Sequence, residues 1–381
     1  MIVDQSRPLS YIEIYKDRLL SNVQFFRRFL LPSTQIVGVI KANAYGHGLQ
    51  IVSKILEDYV DYYQVDDIEE LRELRKVSNK PAFVFGYIQR NDLEEMVYLD
   101  GILGVYDKEQ IELINKHSAK LNKKTKLHVC IDSALGRDGM LLSEVQPLID
   151  HAKRLENIII DGIYSHFANI EDTSDFSHAQ KQIDLYEKAI QLFRNNGYTE
   201  IKTHISATAG SLVYESKFHR HPIVRIGIGL YGLWPSEYIR RDYTSYQNAL
   251  QPVLRWVSHI AQIKTLPKNS TIGYGLTYVT DKPTTIAIVP QGYSDGYDRK
   301  LSNKGEVLIR GKRCKVLGRI SMNMMTVDVT DIDGIQIEDE VVLIGSQHEE
   351  NITSEEIAEK IDTINYEVVA RLNPNIPRIV I

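Results

Sequence analysis

Cysteine is nearly absent. The 381-residue chain has two, Cys130 and Cys314, far apart and in different patterns. Without a CxxC pair, neither a disulfide framework nor a zinc site is expected, which fits a reducing cytoplasm. No stretch approaches the roughly 18 to 20 apolar residues of a membrane span, and residues 1–10 lack the basic-then-apolar order of a signal peptide. Charge of one sign is not in excess either: 45 Lys and Arg face 50 Asp and Glu, a net charge of -5. There is no basic block to hold nucleic acid or an anionic membrane. Low-complexity tracts and short-period repeats are missing, as are a GxSxG elbow and a Cys–His nucleophile signature. The expectation is a soluble, cytoplasmic protein without nucleic-acid or membrane contact.

The apolar content is ordinary, and the length exceeds what one hydrophobic core usually serves, so two domains are expected. Short β-branched or aromatic runs at 35–41, 61–65, 82–86, 102–106, 126–132, 158–166, 201–206 and 223–229 alternate with amphipathic stretches such as 68–77, 108–120 and 176–195. Gly197 is placed as a helix stop. Eight βα units in roughly 220 residues predict an α/β fold, a (β/α)8 TIM-type barrel over 10–240. After Trp234-Pro235 the runs at 253–266, 284–290, 306–309, 315–320, 325–329 and 340–344 lack long intervening helices. They predict a β-rich domain over 241–381 with 1–9, carrying one short helix after the capping box Thr353-x-x-Glu356.

Functional residues of such a barrel belong at the C-terminal ends of its strands. Lys41 closes the first apolar run, where a buried ammonium is costly unless neutralised or paired; a Schiff base with a carbonyl cofactor such as pyridoxal phosphate would neutralise it. Arg137, His166, Ser206, Thr208 and Arg225 map to the same rim. Gly227-Ile228-Gly229-Leu230-Tyr231-Gly232 fits GxGxxG, but no βαβ unit with an acidic residue follows, so a phosphate cradle after the last barrel strand is the better reading. His219-Arg220-His221 has no neighbouring Asp, Glu or Cys ligand and reads as a solvated loop rather than a metal site.

With these features in place, the chain resembles the alanine racemases, the fold-type III pyridoxal-phosphate enzymes. The motifs are Val39-Ile40-Lys41-Ala42-Asn43-Ala44-Tyr45-Gly46-His47-Gly48, Tyr164-Ser165-His166-Phe167-Ala168, the glycine run from Arg225, Gly273-Tyr274-Gly275, Gly292-Tyr293-Ser294-Asp295-Gly296, Gly318-Arg319-Ile320-Ser321-Met322 and Thr363-Ile364-Asn365-Tyr366-Glu367. The resemblance implies that Lys41 carries pyridoxal 5'-phosphate and serves as one catalytic base, with Tyr274 the opposite base, supplied by the partner in a homodimer with shared sites. Inversion at Cα needs a proton removed on one face and delivered on the other. It further implies that Arg225 faces the pyridine nitrogen, that His166 and His204 form a hydrogen-bonded chain with it, and that Tyr45, Thr208, Gly227 and Ile228 contact the phosphate. Arg137 and Met322 would receive the carboxylate of a small amino-acid substrate, and Tyr293 would line the entrance.

Three departures stand out. Cys130 occupies the place where many members carry a carbamylated lysine, so Arg137 must be held another way, such as by an anion. Asn323, at the substrate end, stands where aspartate is usual, and Pro374 where a tyrosine narrows the pocket; the extra room, with Asn323 as a substrate-binding donor to a serine hydroxyl, would relax strict alanine preference. The expected activity is L/D-alanine racemisation for cell-wall peptidoglycan. Serine or serine/alanine racemisation of the glycopeptide-resistance type, or a fold-type III decarboxylase, stand as alternatives.

Overall fold

A computed structural model describes residues 8–242 and 250–381. Of the expected second domain, residues 1–7 and 243–249 therefore lie outside the described residues. The chain divides into two compact units: one spans Asp17–Ala44 and Leu49–Gln251, the other takes Pro252–Ile381 with the chain up to Lys16 and Tyr45–Gly48.

The first strand, β1 (Tyr11–Ile14), follows Ser10 and belongs to the second unit. The barrel strands are β2 (Gln35–Val39), β3 (Tyr62–Val65), β4 (Ala82–Val84), β5 (Gly101–Val105), β6 (Thr125–Cys130), β7 (Ile158–Tyr164), β8 (Lys202–His204) and β9 (Ile223–Ile226). They pair in parallel in the order β8-β7-β6-β5-β4-β3-β2-β9. Just beyond β8 the Arg225 amide donates to the Ser206 carbonyl at 3.0 Å, which brings the two ends of the sheet together. All eight strands were legible as apolar runs because parallel strands covered on both faces carry apolar residues nearly continuously. Inside the barrel Val37, Tyr62, Phe83, Ile102 and Ile223 form a cluster, with Tyr62 and Phe83 stacked at 4.9 Å. Two of the helices between strands start where an aspartate caps them: Asp107 accepts from the Gln110 amide at 2.7 Å ahead of Lys108–Lys120, and Asp67 from Glu70 at 2.8 Å ahead of Ile68–Arg75. Gly197 takes φ +98°, as a helix stop requires.

In the second unit Leu254–His259 pairs antiparallel with β1, which in turn lies parallel to Arg378–Val380. That pairing draws the second unit up to Lys16, beyond the 1–9 expected. The expected run 253–266 is two strands, Leu254–His259 and Gln262–Leu266, in different sheets. The switch falls where Ile260 donates to Asp339 and Ala261 to Ile288, so the backbone changes partners between adjacent residues. The strand expected over 315–320 lies earlier in the chain, at Lys312–Lys315, and Gly318 at φ +74° turns the chain beyond it. Thr353 caps Ser354–Ile361 as expected, accepting from Glu356 at 3.0 Å, and a second short helix, Asn365–Ala370, follows it. His221 is a correction: it is buried, its Nδ1 2.9 Å from Thr203 Oγ1, and not on a solvated loop.

Candidate active site

Lys41 lies two residues beyond the end of β2 rather than within it. It opens a turn in which Ala42, Asn43, Ala44 and Tyr45 all take φ of 52 or 53°. Four successive left-handed residues, none of them glycine, cost roughly 1–2 kcal/mol each. Partners from the neighbouring rim hold the turn. The Asn43 amide donates to Glu70 at 3.4 Å, the same carboxylate accepts from the Asp66 amide at 2.9 Å, and the Asn43 side chain accepts from the Leu49 amide at 2.9 Å. Burial pushes the Glu70 carboxyl up, against backbone N–H groups that stabilise its charge. Lys41 Nζ donates to Asp66 Oδ1 at 3.2 Å, so its charge is paired.

Strand β9 lies beside β2, Val37 opposite Arg225. Arg225 is 4% exposed, and no carboxylate touches its guanidinium among the described residues. Nη1 donates to His204 Nδ1 at 2.5 Å and to the His204 carbonyl at 3.3 Å; Nη2 donates to the Ser165 and Ile205 carbonyls at 2.7 and 3.2 Å and to His166 Nδ1 at 3.2 Å. Burial, reinforced by the Arg225 charge, drives His166 down to about 3 and His204 well below the usual imidazole range. Both rings are neutral, and each turns an unprotonated Nδ1 to Arg225. His204 continues through Nε2 to His128 Nδ1 at 2.8 Å, and His128 Nε2 reaches Asp161 Oδ2 at 3.4 Å.

After β9, Gly227 and Gly229 point their amides at Thr208 Oγ1, at 3.1 and 3.3 Å. A Cβ at Gly229 would sit 2.6 Å from Phe26 and 2.7 Å from Thr208 Cγ2, so only glycine allows this approach. Ile228 opens a short 3-10 turn, Ile228–Tyr231. Ser206 does not face outward; it donates to Glu215 at 3.3 Å. Arg137 Nε donates to Asp138 Oδ1 at 2.8 Å, while Cys130, 4.0 Å from the other Asp138 oxygen, is buried and its thiol pushed up to about 12, chiefly by burial.

In the second unit Tyr274 is 71% exposed, between Gly273 and Gly275 at φ +75° and +71°. A Cβ on Gly275 would lie 2.7 Å from the Arg319 guanidinium. The neighbouring loops are tied together: the Tyr293 amide donates to the Ser321 carbonyl at 3.1 Å, and Ser294 donates from both amide and hydroxyl to the Met322 carbonyl at 3.0 and 2.9 Å. Asn323 Nδ2 donates to Ser294 Oγ at 2.7 Å, so it braces this loop. Pro374 is exposed, beside Asn373, whose side chain donates to the Ser294 carbonyl at 2.9 Å. Tyr45 groups with this unit, its ring 6.2 Å from Tyr366.

The structure thus gathers Lys41, His166, His204, Thr208, Arg225, Gly227 and Ile228 at the C-terminal mouth of the barrel, and Tyr274, Tyr293, Met322 and Asn323 on linked loops of the other unit. Asp66 and Glu70 escaped notice, although Asp66 directly follows the run 61–65 at the same rim. His128 and Asp161 lie inside strands, where their sequence neighbours give no sign of a partner.

The comparisons agree in one direction. The family model for the alanine racemase N-terminal domain matches residues 14–235 and that for the C-terminal domain residues 253–380. An alanine racemase of Leptospira interrogans is 36% identical over 98% of this chain and 96% of its own. Among solved structures, alanine racemase of Clostridium difficile 630 superposes with a TM-score of 0.90 at 32% identity, covering 99% of this chain and 97% of that one. The Bartonella henselae alanine racemase with covalently bound pyridoxal phosphate gives 0.85 at 27% identity, covering 98% and 100%.

Proposed function

The chain belongs to the alanine racemase family, and from that premise we propose that it interconverts L- and D-alanine by a two-base mechanism, using pyridoxal 5'-phosphate held on Lys41. The carrying observation is that Lys41 and the Arg225–Gly229 segment close neighbouring strands of one barrel mouth. The residues there fit the cofactor: the Gly227 and Gly229 amides are spent on Thr208 Oγ1, which fixes the hydroxyl and leaves its proton to donate to a phosphate, and a side chain at Gly229 would fill the space beside it. When bound, the pyridoxal ring acidifies the Cα–H of the amino acid attached to it. Arg225 would meet the ring nitrogen as a donor that cannot give up its proton, so that nitrogen stays unprotonated and charge remains near Cα, which suits racemisation over transamination.

Lys41 would take or deliver the proton on one face and Tyr274 on the other. We place that Tyr274 on a second copy of the chain, since it stands on an exposed turn of the other unit, and Tyr293 and Met322 are on loops tied beside it. Arg137 and the Met322 backbone would receive the substrate carboxylate, and Tyr45 and Ile228 would complete the phosphate contacts. Alanine is favoured over serine because the relatives are alanine racemases and because Asn323, the residue expected to meet a serine hydroxyl, is engaged with Ser294. The same relatives weigh against decarboxylation. Among the described residues no helix is long and apolar enough to cross a membrane, and two buried free thiols suit a cytoplasmic enzyme supplying D-alanine for peptidoglycan. Borohydride reduction of the cofactor-loaded protein and peptide mapping should label Lys41, and Lys41→Ala should lose both the label and L-alanine racemisation. Label on a different lysine, or no racemisation by the native protein, would overturn the reading.

A further inference from the structure

Arg225 is the end of a longer polar chain. From it the contacts run through His204 to His128 on β6, on to Asp161 on β7, and to Lys202 on β8, whose Nζ lies 2.9 Å from Asp161 Oδ2. His128 and His204 are fully buried, and Asp161 is mostly so. Space for the His128 ring exists only because residue 162 is glycine: a Cβ there would lie 2.3 Å from it.

The two ends are chemically one-sided. A guanidinium only donates and an ionised carboxylate only accepts, whereas a neutral imidazole does one of each. Two rings in series between such ends have a single arrangement that satisfies every nitrogen: Nδ1 accepting and Nε2–H donating in both. The reverse arrangement would put an N–H of His204 against an N–H of Arg225 at 2.5 Å. Lys202 keeps the far end acceptor-only. Burial works to raise the Asp161 carboxyl, but hydrogen bonds from His128 and Lys202 outweigh it and hold it well below the usual carboxylate range.

We infer that Asp161 and His128 are positioning residues that set the tautomer of His204 and thereby the seat of Arg225. With the chain polarised this way, His204, Ser165, Ile205 and His166 occupy both Nη groups, and Nε, which meets no acceptor among the described residues, is the donor left for a ligand. This deepens the racemase reading, on which its kinetic consequence rests; the tautomer assignment stands apart from it.

The test is 15N NMR of histidine-labelled, cofactor-free protein, with His128 and His204 assigned by single substitution, followed by kinetics of the loaded enzyme. Both rings should carry their proton on Nε2. Asp161→Asn, which keeps an acceptor oxygen, should retain that pattern and most of kcat. Asp161→Ala should give mixed tautomers at His128 and a kcat for alanine at least about tenfold lower with KM within about twofold, since small misplacements at a reacting centre are costly. Lys202→Met, which removes the ion pair but keeps the carboxylate, should resemble Asp161→Asn. A proton on Nδ1 of either ring in the native protein overturns the proposal even if Asp161→Ala fails to fold, and so does an Asp161→Ala enzyme with unchanged tautomers and kcat. Native tautomers as stated without racemisation would fault the functional reading instead.

Discussion

Asp138 answers at the residue scale what Cys130 raises. A buried thiol pushed up to about 12 is neutral near physiological pH and offers Arg137 no counter-charge. The Asp138 carboxylate does, at 2.8 Å from Nε, and it orients a guanidinium that is otherwise largely exposed. A charge-assisted bond of this exposure is worth about 1 kcal/mol, after discounting for solvent. Asp138→Asn should therefore raise KM for alanine about fivefold while leaving kcat within about twofold. Stripping bicarbonate should have no effect on the native enzyme, because position 130 has no amine to carbamylate. An unchanged KM in the variant, or activity that falls when bicarbonate is removed, would show that Arg137 is held by something else.

At the scale of elements, two short turns have properties that their composition hides. The left-handed turn after Lys41 reverses the usual ranking of helix formers. In a right-handed helix Gly costs about 1 kcal/mol relative to Ala, whereas at φ +53° the Cβ of Ala42 is itself the source of strain. Ala42→Gly should hold or raise Tm at fixed protein concentration, and Ala42→Val should lower it; the opposite order would mean that this turn is right-handed in solution. The short π-helical turn Ser211–Glu215 ends on a carboxyl that burial pushes up to about 7, although the His221 and Arg220 amides donate to it. His221, 4.0 Å away, is driven down to about 4, first by burial, so the two do not form an ion pair near neutrality. Glu215 is thus protonated more readily in the folded chain than in the unfolded one, whose value lies near 4.5. Its contribution is fully present below about pH 4.5 and is lost as pH rises towards 7, by up to about 3 kcal/mol. Glu215→Gln offers the same acceptor to the two amides and a donor to His221 Nε2, which has no hydrogen-bond partner among the described residues. It should raise Tm at pH 8 and leave it nearly unchanged at pH 4.5. A constant difference across that range would rule out titration of Glu215 as the cause.

For the whole molecule, the proposed sharing of sites between two copies predicts complementation. Lys41→Ala and Tyr274→Phe subunits, each inactive alone, should recover about 25% of native activity after 1:1 exchange, since half the dimers are mixed and each holds one intact site. Verified mixed dimers without activity would place both bases in one subunit. The sequence by itself determined the order of elements and the chemistry-bearing residues. Apolar runs, caps such as Thr353 and stops such as Gly197 are local properties, and Lys41, Arg225 and Tyr274 stand in motifs complete within a few residues. Only the tertiary structure decided what those residues touch. The Lys41 turn is held by Glu70 from the next βα unit, and the Arg225 chain depends on His128 and His204 meeting from 76 positions apart. Strand 253–266 broke in two because its backbone met a different partner on either side of Ile260. Hydrophobic period and capping act over a turn or two of chain, whereas tautomers, counter-charges and left-handed strain are set by neighbours that closure of the barrel brings together.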